Sequence, residues 1–172
     1  MQTVKNVLAS SIIASLSLFS VANAETKVED FVVPDLVQEA QHKVASKRIT
    51  AWFSRSHYKK VHLDDELSAK IYDRDLRNLD YNKSLFTAAD IAKFDQYADK
   101  FDDGISKGSL DFAFELFEES IKRRVDRYKQ AIDWLALPMD FTKDDVFYFD
   151  REETPWAKST AELDEFWAQK LK

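Results

Sequence analysis

Two glycines and three prolines in 172 residues leave this chain little with which to turn sharply. Hairpins and sandwich corners lean on Gly, Pro and Asn-Gly turns, so a loop-rich β-barrel or sandwich is disfavoured and an all-α fold is expected. The same scarcity removes the glycine-rich phosphate cradles: neither G-x-G-x-x-G nor a Walker loop can be built from two glycines, and nucleotide enzymes of those types are excluded. With 45% apolar and 33% charged residues, the chain is also unlike disordered, collagen-like or polytopic membrane sequences.

The N-terminus reads as an export signal. Lys5 precedes an uncharged apolar run from Val7 to Phe19, followed by the small-x-small site Ala22-Asn23-Ala24. The run is shorter and richer in serine than the ~20 apolar residues a membrane span needs, so residues 1–24 are expected to be a cleaved signal peptide. The mature chain, 25–172, would then hold 148 residues, 172 less 24, with a net charge of −7 once Lys5 is lost. There is no cysteine, so neither a disulfide nor a lipid-modified cysteine is available and burial must hold the fold. A domain of this size buries about 70% of its unfolded surface, which is enough. The negative balance argues against phosphate-tracking nucleic-acid binding and against an anionic membrane surface.

Apolar periodicity places about five helices. Leu36, Ala40, Val44, Ile49, Trp52 and Phe53 predict one over about 35–54, and Leu67, Ile71, Tyr72, Leu76 and Leu79 a second over 64–79, begun by Asp64-Asp65-Glu66. Thr87 and Asp90 form a capping-box pattern before a third, marked by Ile91, Phe94, Ala98, Phe101 and Ile105. Gly104 and Gly108 bracket its end. Ser109 should cap a long central helix to Ala136, stopped by Pro138, with Leu110, Ala113, Phe117, Ile121, Tyr128, Ile132 and Leu135 on one face. Val146-Phe147-Tyr148-Phe149 should be extended and pinned by its rings. Ser159 and Glu162 open a last helix carrying Leu163, Phe166, Trp167 and Leu171. That helix runs to Lys172 without a stop signal, consistent either with a frayed terminus or with a chain cut from something longer.

No residue is assigned a catalytic, cofactor-binding or metal-binding role. Ser56-His57-Tyr58-Lys59 has the S-x-x-K spacing of some acylating hydrolases, but S-D-N, K-T-G and G-x-S-x-G companions are missing. His57 and His62 stand five apart near Asp64 and Asp65, with His42 the remaining histidine; helical ligands want spacings of three or four, so surface or capping roles are expected. Asp99 to Gly104 imitates the start of a calcium loop, yet Phe101 and Leu110 fall where oxygen ligands are required. Lys122, Arg123, Arg124 and Arg127 share their helix with Glu115, Glu118, Glu119 and Asp126, the pattern of a salt-bridged solvent face or a docking strip.

Arg55-Ser56-His57-Tyr58, Ser68 to Arg74, Leu79-Asp80-Tyr81, Lys122-Arg123-Arg124 with Arg127-Tyr128, Pro138 to Thr142 and Pro155-Trp156 occur in order. In these segments, from about Gln41 onward, the chain resembles the tail-specific proteases, the periplasmic carboxy-terminal processing peptidases of Gram-negative bacteria. The likeness covers only that family's N-terminal helical region. It implies that 25–172 is a scaffold and docking domain of a serine endopeptidase acting on C-terminal tails, whose PDZ domain and Ser/Lys dyad lie in parts not matched here. It further implies contact with the rest of the protease, with protein substrates through the whole enzyme, and with a helical-repeat lipoprotein adaptor. On this view the chain is a truncated product that is inactive alone, and Phe166 and Trp167 should lie uncovered, stripped of what the missing domains packed on them. The alternative is a stand-alone periplasmic helical binding module.

Overall fold

The computed structural model describes residues 31–172; the expected signal peptide, 1–24, lies outside them. Among the described residues six α-helices and no strand are found: α1 (Ala40–Ser56), α2 (Asp65–Leu79), α3 (Ala88–Phe94), α4 (Phe101–Lys107), α5 (Asp111–Leu135) and α6 (Thr160–Leu171). About 61% of the described residues are helical, in line with the all-α expectation.

Local chemistry sets several helix starts where the sequence places them. Asp64 accepts the Leu67 amide at 2.9 Å to begin α2. Thr87 and Asp90 form a full capping box on α3, the Asp90 carboxylate taking both the Thr87 amide and its hydroxyl. Ser159 accepts from Glu162 N to start α6, while the Glu162 side chain reaches back to the Lys158 amide.

Elsewhere tertiary bonds override periodicity. The helix expected at about 35 starts at Ala40, because Gln38 points away from it. Its side chain donates to Gly108 O at 2.6 Å and accepts from Leu110 N at 2.5 Å. The helix expected behind Thr87 is two helices. After α3 a 3-10 turn, Asp95–Tyr97, leads to a break, and α4 begins where the buried Ser68 hydroxyl of α2 accepts the Phe101 amide at 2.7 Å. An orphan amide at a helix start is thus satisfied by another helix. Gly108, at φ +70°, ends α4 in the left-handed conformation glycine tolerates. Ser109 does not cap α5: the first helical residue is Asp111, and the Leu110 amide is held by Gln38. With 25 residues α5 is about 38 Å long.

Two apolar cores lie along α5. Near its start Tyr72, Leu76, Phe86, Phe94, Phe101 and Leu116 pack together, and near its end Leu85, Ala131, Phe166 and Trp167 do so. The link between α2 and α3 serves both, since the neighbouring residues Leu85 and Phe86 enter different cores. A bridge between Thr87 and Ala157, with Ala88 N donating to Ala157 O at 2.8 Å, ties the segment before α6 to the start of α3. Phe166 and Trp167 are buried, contrary to the expectation that they would lie bare: α6 folds back on α5, and the Trp167 indole donates to Ser84 O at 2.7 Å. Of the aromatic run 146–149, Phe147 packs on Phe166, with centroids 5.3 Å apart, whereas Val146, Tyr148 and Phe149 remain exposed.

Candidate functional site

The buried face of α5 is not its apolar stripe. Leu116, Ser120, Arg127 and Ala131 point inward, while Phe117, Tyr128, Ile132 and Leu135, expected in the core, are each about half exposed. At 100° per residue these four fall within 60° of one another, so they form one ridge about 27 Å long on a single helix face. Leu137 and Phe141 continue it past the helix end, at 61% and 69% exposure. An apolar surface of this extent, aligned along a rigid element, marks an interaction site more often than a chance scatter.

The polarity of the inward face explains the inversion. Arg127 is buried and pairs with Asp164 of α6, with Gln130 alongside. Arg123 reaches Asp90 of α3 at 2.6 Å and Glu119 at 3.0 Å. Arg124 donates to Leu79 O at the end of α2. Lys122 alone behaves as a solvent-face cation, paired with Glu118 four residues earlier. The basic run is therefore a set of straps from α5 to α2, α3 and α6, a correction to the solvent-face reading. The expected pairs along the helix do form, Lys122 with Glu118 and Arg123 with Glu119, but Asp90, Asp164 and Leu79 O lie on other helices, where spacing along one helix cannot reveal them.

Sequence reasoning missed Asp80. Buried in the link after α2, its carboxylate accepts from Ser84 N (2.8 Å), Ser84 Oγ (3.2 Å), Leu85 N (2.8 Å) and Phe86 N (3.0 Å). That nest turns the chain so that Leu85 and Phe86 diverge into the two cores. The available signal was an Asp four residues before a Ser across Tyr81-Asn82-Lys83, a turn in which Lys83 takes a positive φ of 49°. Around it the α2–α3 link is tied to the segment before α6: Tyr81 donates to Glu152, Arg77 pairs with Glu152, and Lys83 reaches Thr154 O and lies over the Trp156 ring. Tyr72 donates to Asp95, and burial, then that carboxylate, pushes its phenol well above the usual range. Burial raises the Asp75 carboxyl in the same way.

The remaining candidates assemble no chemistry. Ser56 and Lys59 are exposed at the end of α1, and the His57 ring stacks on Phe53 and turns Nδ1 to the Lys59 backbone. His42 accepts the Glu39 amide as part of the α1 cap. His62 is exposed. Asp99 to Gly104 covers the first turn of α4 rather than a loop, with Asp103 paired to Lys107. Among the described residues no cluster of three metal-type side chains occurs, and no helix is long and apolar enough to cross a membrane.

Comparison with known proteins matches residues 49–172 to the family model described as "Tail specific protease N-terminal domain". Over 147 residues the chain is 35% identical to the tail-specific protease of Haemophilus influenzae (strain ATCC 51907 / DSM 11121 / KW20 / Rd), an alignment that takes in 85% of this chain and 21% of that protein. The chain thus spans about a fifth of that relative's length.

Proposed function

Because this chain belongs to the tail-specific protease family, we propose that it is the N-terminal scaffold and docking domain of a periplasmic serine endopeptidase that processes proteins from their C-terminal tails. Catalysis belongs to the portion of the protease that the relative has beyond the aligned fifth. Residues 1–24 direct export, and the domain positions the catalytic portion without contributing a reacting group.

The observation that carries this reading is the uncovered ridge Phe117–Tyr128–Ile132–Leu135 on α5. A domain that keeps its polar straps inside and its best apolar stripe outside is shaped to be packed upon. The end of α6 lies beside the ridge's continuation: Lys172 reaches Lys143 O and Asp145 and lies over the Phe141 ring. Polypeptide following α6 would emerge next to the surface it covers.

The test uses the absence of cysteine. Ile132→Cys gives this chain a single thiol, whose maleimide labelling, read at that residue by peptide mass, can be compared between this chain and the complete protease. Strong protection in the complete protease is expected, and equal labelling in both would refute the docking role. Cleavage of an apolar-tailed substrate by purified 25–172 alone would refute the placement of catalysis elsewhere. Burial of Phe166 and Trp167 favours a second reading, a stand-alone periplasmic binding module, since the domain closes its own C-terminal core. That reading predicts that Ile132→Cys becomes protected by a separate partner protein and stays exposed in the protease.

A further inference from the structure

The whole-chain charge hides a segregated one. From Ala40 to Leu63 the sequence holds Lys43, Lys47, Arg48, Arg55, Lys59 and Lys60 and no Asp or Glu, whereas 64–172 holds 17 basic against 26 acidic residues. A segment of +6 therefore stands between an acidic lead, 25–39, of −4 and a body of −9. All six cations are exposed, and none forms a salt bridge among the described residues. Most of the basic residues of the body are, by contrast, already paired or bonded to backbone.

The same segment exposes its large apolar side chains. Helix α1 buries only Ser46 and rests on α4 chiefly through Ser46 and Thr50 hydroxyls that donate to Ile105 O. Val44 and Ile49 are about half exposed, Trp52 is 67% exposed and Tyr58 94%. These Lys and Arg side chains are interleaved with Trp, Tyr and aliphatic residues, and the helix meets the protein behind it along one side, where Ser46 and Thr50 face Ile105, Lys43 adjoins Gly108 and His42 lies 5.5 Å from the Phe114 ring. A single-helix ridge fits a plane better than it encloses a peptide. Trp and Tyr favour the headgroup level of a bilayer, where cations meet lipid phosphates.

We infer that α1 and the following residues to Leu63 form a peripheral docking surface for an anionic lipid bilayer. Net charge argues against such a partner only if averaged over the molecule. Screening acts over about 8–10 Å at physiological salt, so a membrane reads the nearest face. The inference is independent of the α5 docking role, because it uses a different helix and a different ligand.

The test is vesicle flotation of the protein as exported, its leader removed by the cell. Vesicles of phosphatidylcholine alone are compared with vesicles containing phosphatidylglycerol. Binding only to the anionic vesicles, falling as salt rises, is expected. Each Lys or Arg should contribute about five-fold, so Lys47→Gln/Arg48→Gln/Arg55→Gln should weaken binding about a hundred-fold. Trp52→Ser should weaken it about ten-fold, the scale of one partly buried aromatic side chain. The charge-matched control Lys70→Gln/Lys93→Gln/Lys122→Gln, on exposed cations of the body, should bind like the parent. Because the α1 substitutions fall on exposed side chains, unchanged circular dichroism would show that folding is not at issue. Equal loss in the control, equal binding to neutral vesicles, or binding to soluble polyglutamate as tight as to vesicles would overturn the lipid assignment, as would no vesicle binding at all.

Discussion

Replacing Asp80 by alanine should be among the most damaging single changes in the domain. The carboxylate satisfies three backbone amides and the Ser84 hydroxyl inside a buried turn. Without it, the Ser84, Leu85 and Phe86 amides lose their acceptor, at about 1–3 kcal/mol each. Allowing for partial relaxation and water entry, the sum is about 3–6 kcal/mol, a large part of the roughly 5–15 kcal/mol that holds a domain folded. Asp80→Asn keeps one acceptor oxygen and turns an NH2 against donors at the other, so it should cost about half as much. Trp167 holds the same turn through Ser84 O, and Trp167→Phe should be non-additive with Asp80→Asn by ~0.5 kcal/mol or more. Urea unfolding gives all three quantities, read from midpoints at constant slope. A cost below about 1 kcal/mol for Asp80→Ala, or strict additivity with Trp167→Phe, would show that the nest does not hold the turn.

Three further outcomes follow from the same geometry. Gly108→Ala forces a side chain into a left-handed conformation and within 2.9 Å of Lys43 O; it should cost about 1–3 kcal/mol and speed tryptic cleavage within α1 more than elsewhere. Arg127→Ala leaves Asp164 without its cation and should cost about 2–4 kcal/mol, less than for a fully buried pair because Asp164 is partly exposed, whereas replacing both partners, Arg127→Met with Asp164→Leu, should come close to neutral in thermal unfolding. Burial holds the Asp75 carboxyl above its usual pKa, so the folded state binds this proton more tightly than the unfolded state. The resulting stability is fully present below the unfolded value and lost as pH rises through the folded one. Asp75→Asn should therefore raise the urea midpoint at neutral pH and lose that advantage in acid.

What was legible in the chain was whatever is decided within one turn of a helix. Asp64, Thr87 with Asp90, and Ser159 cap where they stand because donor and acceptor lie three residues apart. The break before α4 was not legible, because its cause is the Ser68 hydroxyl 33 residues away. The inward face of α5 was misread for a related reason. Apolar spacing identifies a stripe but not which face is buried, and here the buried face carries the polar straps to α2, α3 and α6. Arg123 and Arg127 looked like solvent residues because Asp90 and Asp164 sit on other helices. Asp80 gave no periodic signal, since a turn that feeds two cores has no period.

The Gln38 clamp bears on the order in which the domain assembles. Its two bonds close loops of 70 and 72 residues, and their partners, Gly108 O and Leu110 N, exist as a pair only after α4 has ended and α5 has begun. Closing so long a loop before that turn forms would spend chain entropy with nothing to hold the ends. Helix α1 is accordingly expected to join late and to open early, its Gln38 clamp and its Ser46 and Thr50 bonds to Ile105 O parting before 64–172 unfolds.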